Sequence, residues 1–160
     1  MKIIVKMSQL DFTDTQILLA LKKNARKAYS KIAEELNISN SLVHQRINKM
    51  KDLGLIKNYD IILDEKLLGY QTKSYTGIRL KSAHFAEHVV TELNKVPEVV
   101  ECNYVSGNYA IFILLFAKDN DHLRALLYDK VHMIEGVAGT DTFICFSTNF
   151  KKNVPISIQL

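Results

Sequence analysis

Apolar residues change their period once along this chain, near residue 56. Before that point they recur at helical spacing. After it, short alternating runs that read as strands are interleaved with helical runs. A chain with one such switch must be α+β and built in two parts. We read residues 1–56 as one domain and 74–160 as a second. Residues 57–73 connect them through a linker strand and a short helical turn, Asp64-Glu65-Lys66-Leu67-Leu68-Gly69, capped by Asp64 and closed by Gly69.

The 160 residues are 48% hydrophobic, enough for a small core in each part. No apolar run approaches the ~18–20 residues of a membrane helix. The opening Met1-Lys2-Ile3-Ile4-Val5-Lys6 has too short an apolar stretch for a secretory signal. Cys102 and Cys145 have no paired spacing, which argues against a disulfide framework or zinc finger and suits a reducing cytoplasm. Both read as small core fillers.

The first domain reads as three helices. Thr13-Asp14-Thr15-Gln16 has the form of a capping box, followed by Ile17, Leu18 and Leu21 on one face. A second helix runs from about Tyr29 to Leu36, with Ile32, Ala33 and Leu36 inward. Asn37-Ile38-Ser39 is a tight connection. Ser39 caps a third helix in which Val43, Ile47, Met50 and Leu53 share a face, ending at Gly54. Two helices joined by about three residues, the second with a polar outer face, fit a helix-turn-helix.

Charge supports that reading. Residues 22–51 carry eight basic residues against Glu34 and Glu35, a net +6 in a chain whose total is +4. Such a window is a footprint for a polyanion, although an unplaced charge run is more often a solvated surface. The third helix decides between them. Its outward residues are Asn40, Ser41, His44, Gln45, Asn48 and Lys49, with no acid from Asn40 to Lys51. Asn and Gln can pair with adenine N6 and N7, His and Ser can reach purine acceptors, and Lys can meet phosphates. Ser39, Arg46 and Lys27 complete the candidate contacts to double-stranded DNA.

The second domain reads as β-α-β-β-α-β, the ferredoxin-like split unit. Strands run over Tyr75–Lys81, Val99–Val105, Tyr109–Ala117 and Thr140–Ser147. The helices begin at Ser82 and Asp119. Two helices cover one face of such a sheet, yet Tyr109–Ala117 is apolar throughout. A second copy of the same sheet is the simplest cover for the other face, giving a homodimer. The alternative is that the first domain folds back over it. Phe112, Phe116, Phe143 and Phe146 belong to the core or to that interface.

This order of domains, at this length, resembles the Lrp/AsnC (feast/famine) transcriptional regulators from about Leu10 to Ser157. The matching stretches include Leu10-Asp11, Ile32-Ala33, Leu36-Asn37-Ile38-Ser39, Arg46-Ile47, Gly54-Leu55-Ile56, Pro97-Glu98-Val99, Val105-Ser106-Gly107-Asn108-Tyr109, Gly136-Val137 and Thr140-Asp141-Thr142. The resemblance implies dimers that often build octamers and sense amino acids or related molecules in clefts between dimers. Carried over by position, Gly107, Asn108, Tyr109 and Ala110 form one wall of the effector site, and Thr140 and Thr142 another. Acids common in the family are replaced here by Asn108 and Ala110. Either the effector is not a simple amino acid, or a group such as Asp141 answers its ammonium, or nothing is sensed.

Other chemistry finds little support. His84 and His88 have metal-compatible spacing but no fixed third ligand. No Gly-rich phosphate loop or nucleophile elbow occurs, so no catalytic residue, metal or cofactor is assigned. A siroheme-decarboxylase-like enzyme on the same architecture is the alternative, with His122 and Arg124 as its nearest basic groups. A less specific chromosome-organising protein is another.

Overall fold

The computed structural model describes residues 10–156. The opening Met1–Lys6 segment and Ser157 lie outside the described residues. The chain divides into two compact units, one containing the helices up to Ile62 and the other spanning Leu63–Lys151. Residues 152–156 group with the helical unit, where the Lys22 ammonium donates to the Val154 carbonyl at 2.9 Å. That side chain-to-backbone hydrogen bond ties the tail to the helical unit, whereas its sequence position assigned it to the sheet domain.

In the helical unit, α1 spans Phe12–Lys23, α2 Tyr29–Leu36 and α3 Asn40–Asp52. The capping box lies two residues earlier than the Thr13–Gln16 reading, with Asp11 as the cap. Asp11 accepts from Asp14 N at 2.8 Å, and Asp14 accepts back from Asp11 N. Carboxylates suit this end because they also answer the positive pole of the helix. Asn37 closes α2 in the left-handed conformation, φ 52°. Ser39 caps α3 by accepting from Leu42 N at 3.1 Å. At the far end Gly54, φ 71°, allows Leu55 N to reach Met50 O and Gly54 N to reach Lys51 O. Ile17, Ile32, Val43, Ile47 and Met50 are fully buried at the centre.

No strand forms between residues 57 and 71. The turn at Glu65–Gly69 does form, with Asp64 accepting from Lys66 N and Leu67 N.

The second unit is a four-stranded antiparallel sheet in the order β2-β3-β1-β4. The strands are β1 Thr72–Leu80, β2 Val99–Tyr104, β3 Ile111–Ala117 and β4 Val137–Cys145. Helix α4 covers Ala86–Leu93, after a 3-10 turn at Ala83–Phe85. Helix α5 covers Asn120–Ala125 and continues as a π-helical turn through Val131. The first strand starts earlier than its apolar pattern indicates because its opening inward residues, Thr72 and Ser74, are buried hydroxyls. Opposed pairs Thr76↔Ile113 and Ile78↔Ile111 put those residues on the helix-covered face. There Ile78, Ile111 and Ile113 cluster with Val89 and Leu93 of α4 and Leu123 of α5. The other face carries Tyr75, Phe112, Leu114, Phe116 and Phe143. No described element of this unit covers it. Tyr75 and Phe112 stack at 6.4 Å, and the Lys73 ammonium lies 5.5 Å from the Tyr75 ring. The third strand is therefore apolar on both faces as expected, with Ile113 toward the helices and Phe112 away from them.

The cysteines differ from expectation. Cys102 is exposed because β2 is an edge strand, and Cys145 is only half-buried near the end of β4. Neighbouring protein still desolvates the Cys102 thiol enough to push its pKa up. Phe146 is 97% exposed, outside any core.

Candidate DNA-recognition and ligand-sensing sites

Helix α3 buries Val43, Ile47 and Met50, so helical geometry turns Asn40, Ser41, His44, Gln45, Asn48 and Lys49 outward. All six are exposed. The side chains of Asn40, Gln45, Asn48 and Lys49 have no hydrogen bond or ion pair within the described chain. Ser41 shares a hydroxyl contact of 3.0 Å with Ser39. His44 meets the Tyr29 ring edge-on at 4.7 Å between centroids.

Two sequence candidates are committed elsewhere. Arg46 pairs with Asp11 and with the fully buried Asp14. A buried carboxylate needs such a partner. The pairing raises the guanidinium pKa, chiefly through Asp11, while the Asp14 backbone and then Arg46 hold the Asp11 carboxyl below its usual range. Lys27 is bonded to Glu35, and Lys31 to Glu34. The two acids of the basic window are thus both paired. Lys23, Arg26 and Lys49 remain as cations without an intramolecular partner among the described residues.

The sensing candidates divide across the sheet. Thr140 and Thr142 face the helices. The Thr140 hydroxyl contacts His132 Nε2 at 2.6 Å, and Thr142 contacts the Thr76 hydroxyl at 2.9 Å. Ser74, on the same face, is buried with an unpartnered hydroxyl. Thr76 and Ser74 escape sequence reasoning because only strand register puts them on this face beside β4, and His132 because only the packing of the turn after α5 brings it to Thr140. Tyr109 lies on the opposite face, against Gly77. A Cβ at Gly77 would sit 2.6 Å from its ring. Its phenol donates to Asp141 at 3.0 Å, and Asp141 also accepts from Arg79. Arg79, then Tyr109, lowers the Asp141 pKa, and Asp141 raises that of Tyr109. Asp141 is therefore already matched by a cation. Gly107 and Asn108 are exposed, with Gly107 at φ 121°, and Ala110 packs against the helix-side core.

The remaining candidates are scattered. His84 bonds Ser82, and no group of three metal-ligating side chains occurs among the described residues. His122 Nδ1 accepts from Lys118 N, and its other ring nitrogen lies 3.9 Å from Glu98.

Comparison with known proteins finds matches to both parts of the chain. A model of the Lrp/AsnC ligand binding domain matches residues 74–155, and one of winged helix-turn-helix DNA-binding domains matches residues 10–57. The regulatory protein AsnC of Haemophilus influenzae is 34% identical over 148 residues, 92% of this chain and 99% of its own length. The solved structure of Escherichia coli AsnC superposes with a TM-score of 0.86 at 34% identity, covering 91% of this chain and 97% of that one. The structure of a Neisseria meningitidis transcriptional regulator in complex with L-Met shares the fold, with a TM-score of 0.85 at 21% identity over 91% of this chain and 96% of that one.

Proposed function

The chain belongs to the Lrp/AsnC family of transcriptional regulators, and from that premise we propose how it works. It binds double-stranded DNA sequence-specifically through the outward face of α3. It does so as a homodimer or a higher assembly such as an octamer, in the cytoplasm and without catalysing a reaction. The observation that carries this reading is the acid-free outer face of α3, with Asn40, Gln45, Asn48 and Lys49 free to bond. Side chains not spent within the chain can form bidentate base contacts without first breaking other bonds.

Dimerisation is assigned to the sheet face bearing Tyr75, Phe112, Leu114, Phe116 and Phe143. A cluster of apolar rings of this kind supports a protein interface. The effector is an amino acid or a related small molecule, held by Gly107 and Asn108 of the turn with Thr140 and Thr142, while the Ala110 N–H is spent on the Ile78 carbonyl. Turn N–H groups suit a carboxylate and hydroxyls suit an ammonium. The DNA-reading part comprises the helices up to Ile56, and the sensing part begins with β1.

Selection of bound duplexes from a random pool tests the reading. An enriched inverted repeat is expected, since a two-fold dimer reads two half-sites. Binding with no enriched sequence would replace specific regulation with a general chromosome-organising role.

A further inference from the structure

We propose that Tyr29 is a positioning residue for base recognition. Its ring holds the His44 imidazole on the outer face of α3, and Tyr59, just beyond α3, holds Tyr29. This rests on the reading of α3 as the helix that contacts bases.

Three separate stretches of chain supply the contacts. Tyr29 opens α2, and its ring packs against the helical core. From there it meets His44 edge-to-face, at 4.7 Å and an interplanar angle of 74°. Its phenol oxygen lies 3.5 Å from that of Tyr59, and either can donate. Tyr59 is in turn fixed by Lys51, whose ammonium stands 5.2 Å from the centre of its ring. Tyr59 is thus held by both α2 and α3, in the segment that leads toward the sensing unit.

Of the outward α3 residues read as base or phosphate contacts (Asn40, Ser41, His44, Gln45, Asn48 and Lys49), His44 is the one with an aromatic contact among the described residues. An exposed imidazole otherwise samples several rotamers, and binding must freeze one of them. Holding it beforehand removes part of that cost and limits which base edge it can reach. The effect falls on discrimination between sequences, because non-specific binding depends on phosphates that His44 need not touch.

The test uses the full chain. It measures the ratio of affinities for the duplex selected from a random pool and for a scrambled duplex, at one salt concentration. His44→Ala should lower this ratio by roughly five- to 150-fold. Tyr29→Leu should lower it similarly, and the double variant no further than either single one. Tyr29→Phe keeps the ring edge but loses the contact with the Tyr59 hydroxyl, so it should lower the ratio by only about two- to fivefold. Tyr59→Phe should lower it by about two- to fivefold and shift the His44 ring-proton resonances in the DNA-free protein. Losses from His44→Ala and Tyr29→Leu that multiply would overturn the inference. So would an unchanged ratio in Tyr29→Leu where His44→Ala lowers it. If Tyr29→Leu does not fold, Tyr59→Phe decides: an unchanged ratio with unmoved His44 resonances overturns the proposal. If His44→Ala, Gln45→Ala and Ser41→Ala all leave the ratio intact, α3 itself is not the reader, a failure distinct from that of the Tyr29 contact.

Discussion

Tyr109 donates its phenol hydrogen to Asp141 at 3.0 Å, on the sheet face opposite Thr140 and Thr142. The two groups shift each other in opposite directions. Arg79 first, and Tyr109 second, hold the Asp141 carboxyl below its ordinary 3.8. Asp141 holds the Tyr109 phenol above its ordinary 10.0. The Asp141 contribution to stability is complete above pH 3.8 and lost as pH falls through the lowered value. The Tyr109 contribution is complete below pH 10.0 and lost as pH rises through the raised one. Tyr109→Phe should flatten the alkaline fall and weaken the acid one, read by denaturant unfolding across pH. Gly77→Ala should act alike, since its Cβ would displace the ring. A Tyr109→Phe profile identical to wild type at both ends would show the bond is not made in solution.

Arg46→Ala should destabilise the helical unit by about 2–4 kcal/mol, because Asp14 would stay buried without its cation. The lower part of that range reflects the partial exposure of Arg46. Loss of DNA binding in this variant should follow loss of folded protein. Normal stability with lost DNA affinity would instead make Arg46 a phosphate contact.

Which parts of this were legible in the sequence follows from the range of the interactions. The Ser39 cap and the Gly54 terminus are local, within a few residues, and each leaves a mark in the chain. The partner of Arg46 does not: Asp11 and Asp14 lie over thirty positions away, and nothing near Arg46 signals that its charge is taken. Strand parity behaves the same way. Alternation shows that Phe112 and Ile113 point to opposite faces, but only the packing of α4 and α5 determines which face is inward. Thr140 and Thr142 share a face by that rule, whereas the side on which Tyr109 lands depends on the chain reversal before β3. The Thr72–Ser74 start of β1 was hidden because its buried residues are polar.

Gln45→Ala should weaken binding to the selected duplex by about 1–3 kcal/mol while sparing non-specific duplex. Lys49→Ala should weaken both alike and reduce the slope of log affinity against log salt by about 1. Competition binding over a salt series separates the two. A Lys49→Ala variant that changes sequence preference would place Lys49 on a base edge.

Phe112→Asp should dissociate the proposed dimer and leave a folded monomer, since Phe112 is half-buried on the face away from α4 and α5. Ile113→Asp should unfold the second unit, because it buries a lone charge among the helices. Sedimentation and circular dichroism distinguish these results. A Phe112→Asp protein that stays dimeric at micromolar concentration would move the interface to another surface.

The common amino acids should give weak or no response, read by thermal shift and DNA binding. Asn108 and Ala110 supply no carboxylate for an effector's ammonium, and Asp141 is already matched by Arg79. Thr140 and Thr142 each hold one hydrogen bond, to His132 and Thr76. A hydroxyl has two acceptor positions, so each can still accept from a ligand. A related molecule that binds there should lose its effect in Thr142→Ala. It should also lose it in Gly107→Arg, where the φ of 121° strains any side chain and the turn N–H groups are displaced. The ligand can shift assembly or spacing of the DNA-reading helices only by the difference in its affinity for the two arrangements. A clear response surviving both substitutions would put the effector site elsewhere. Tight, selective binding of one ordinary amino acid would show that the missing acids do not set specificity.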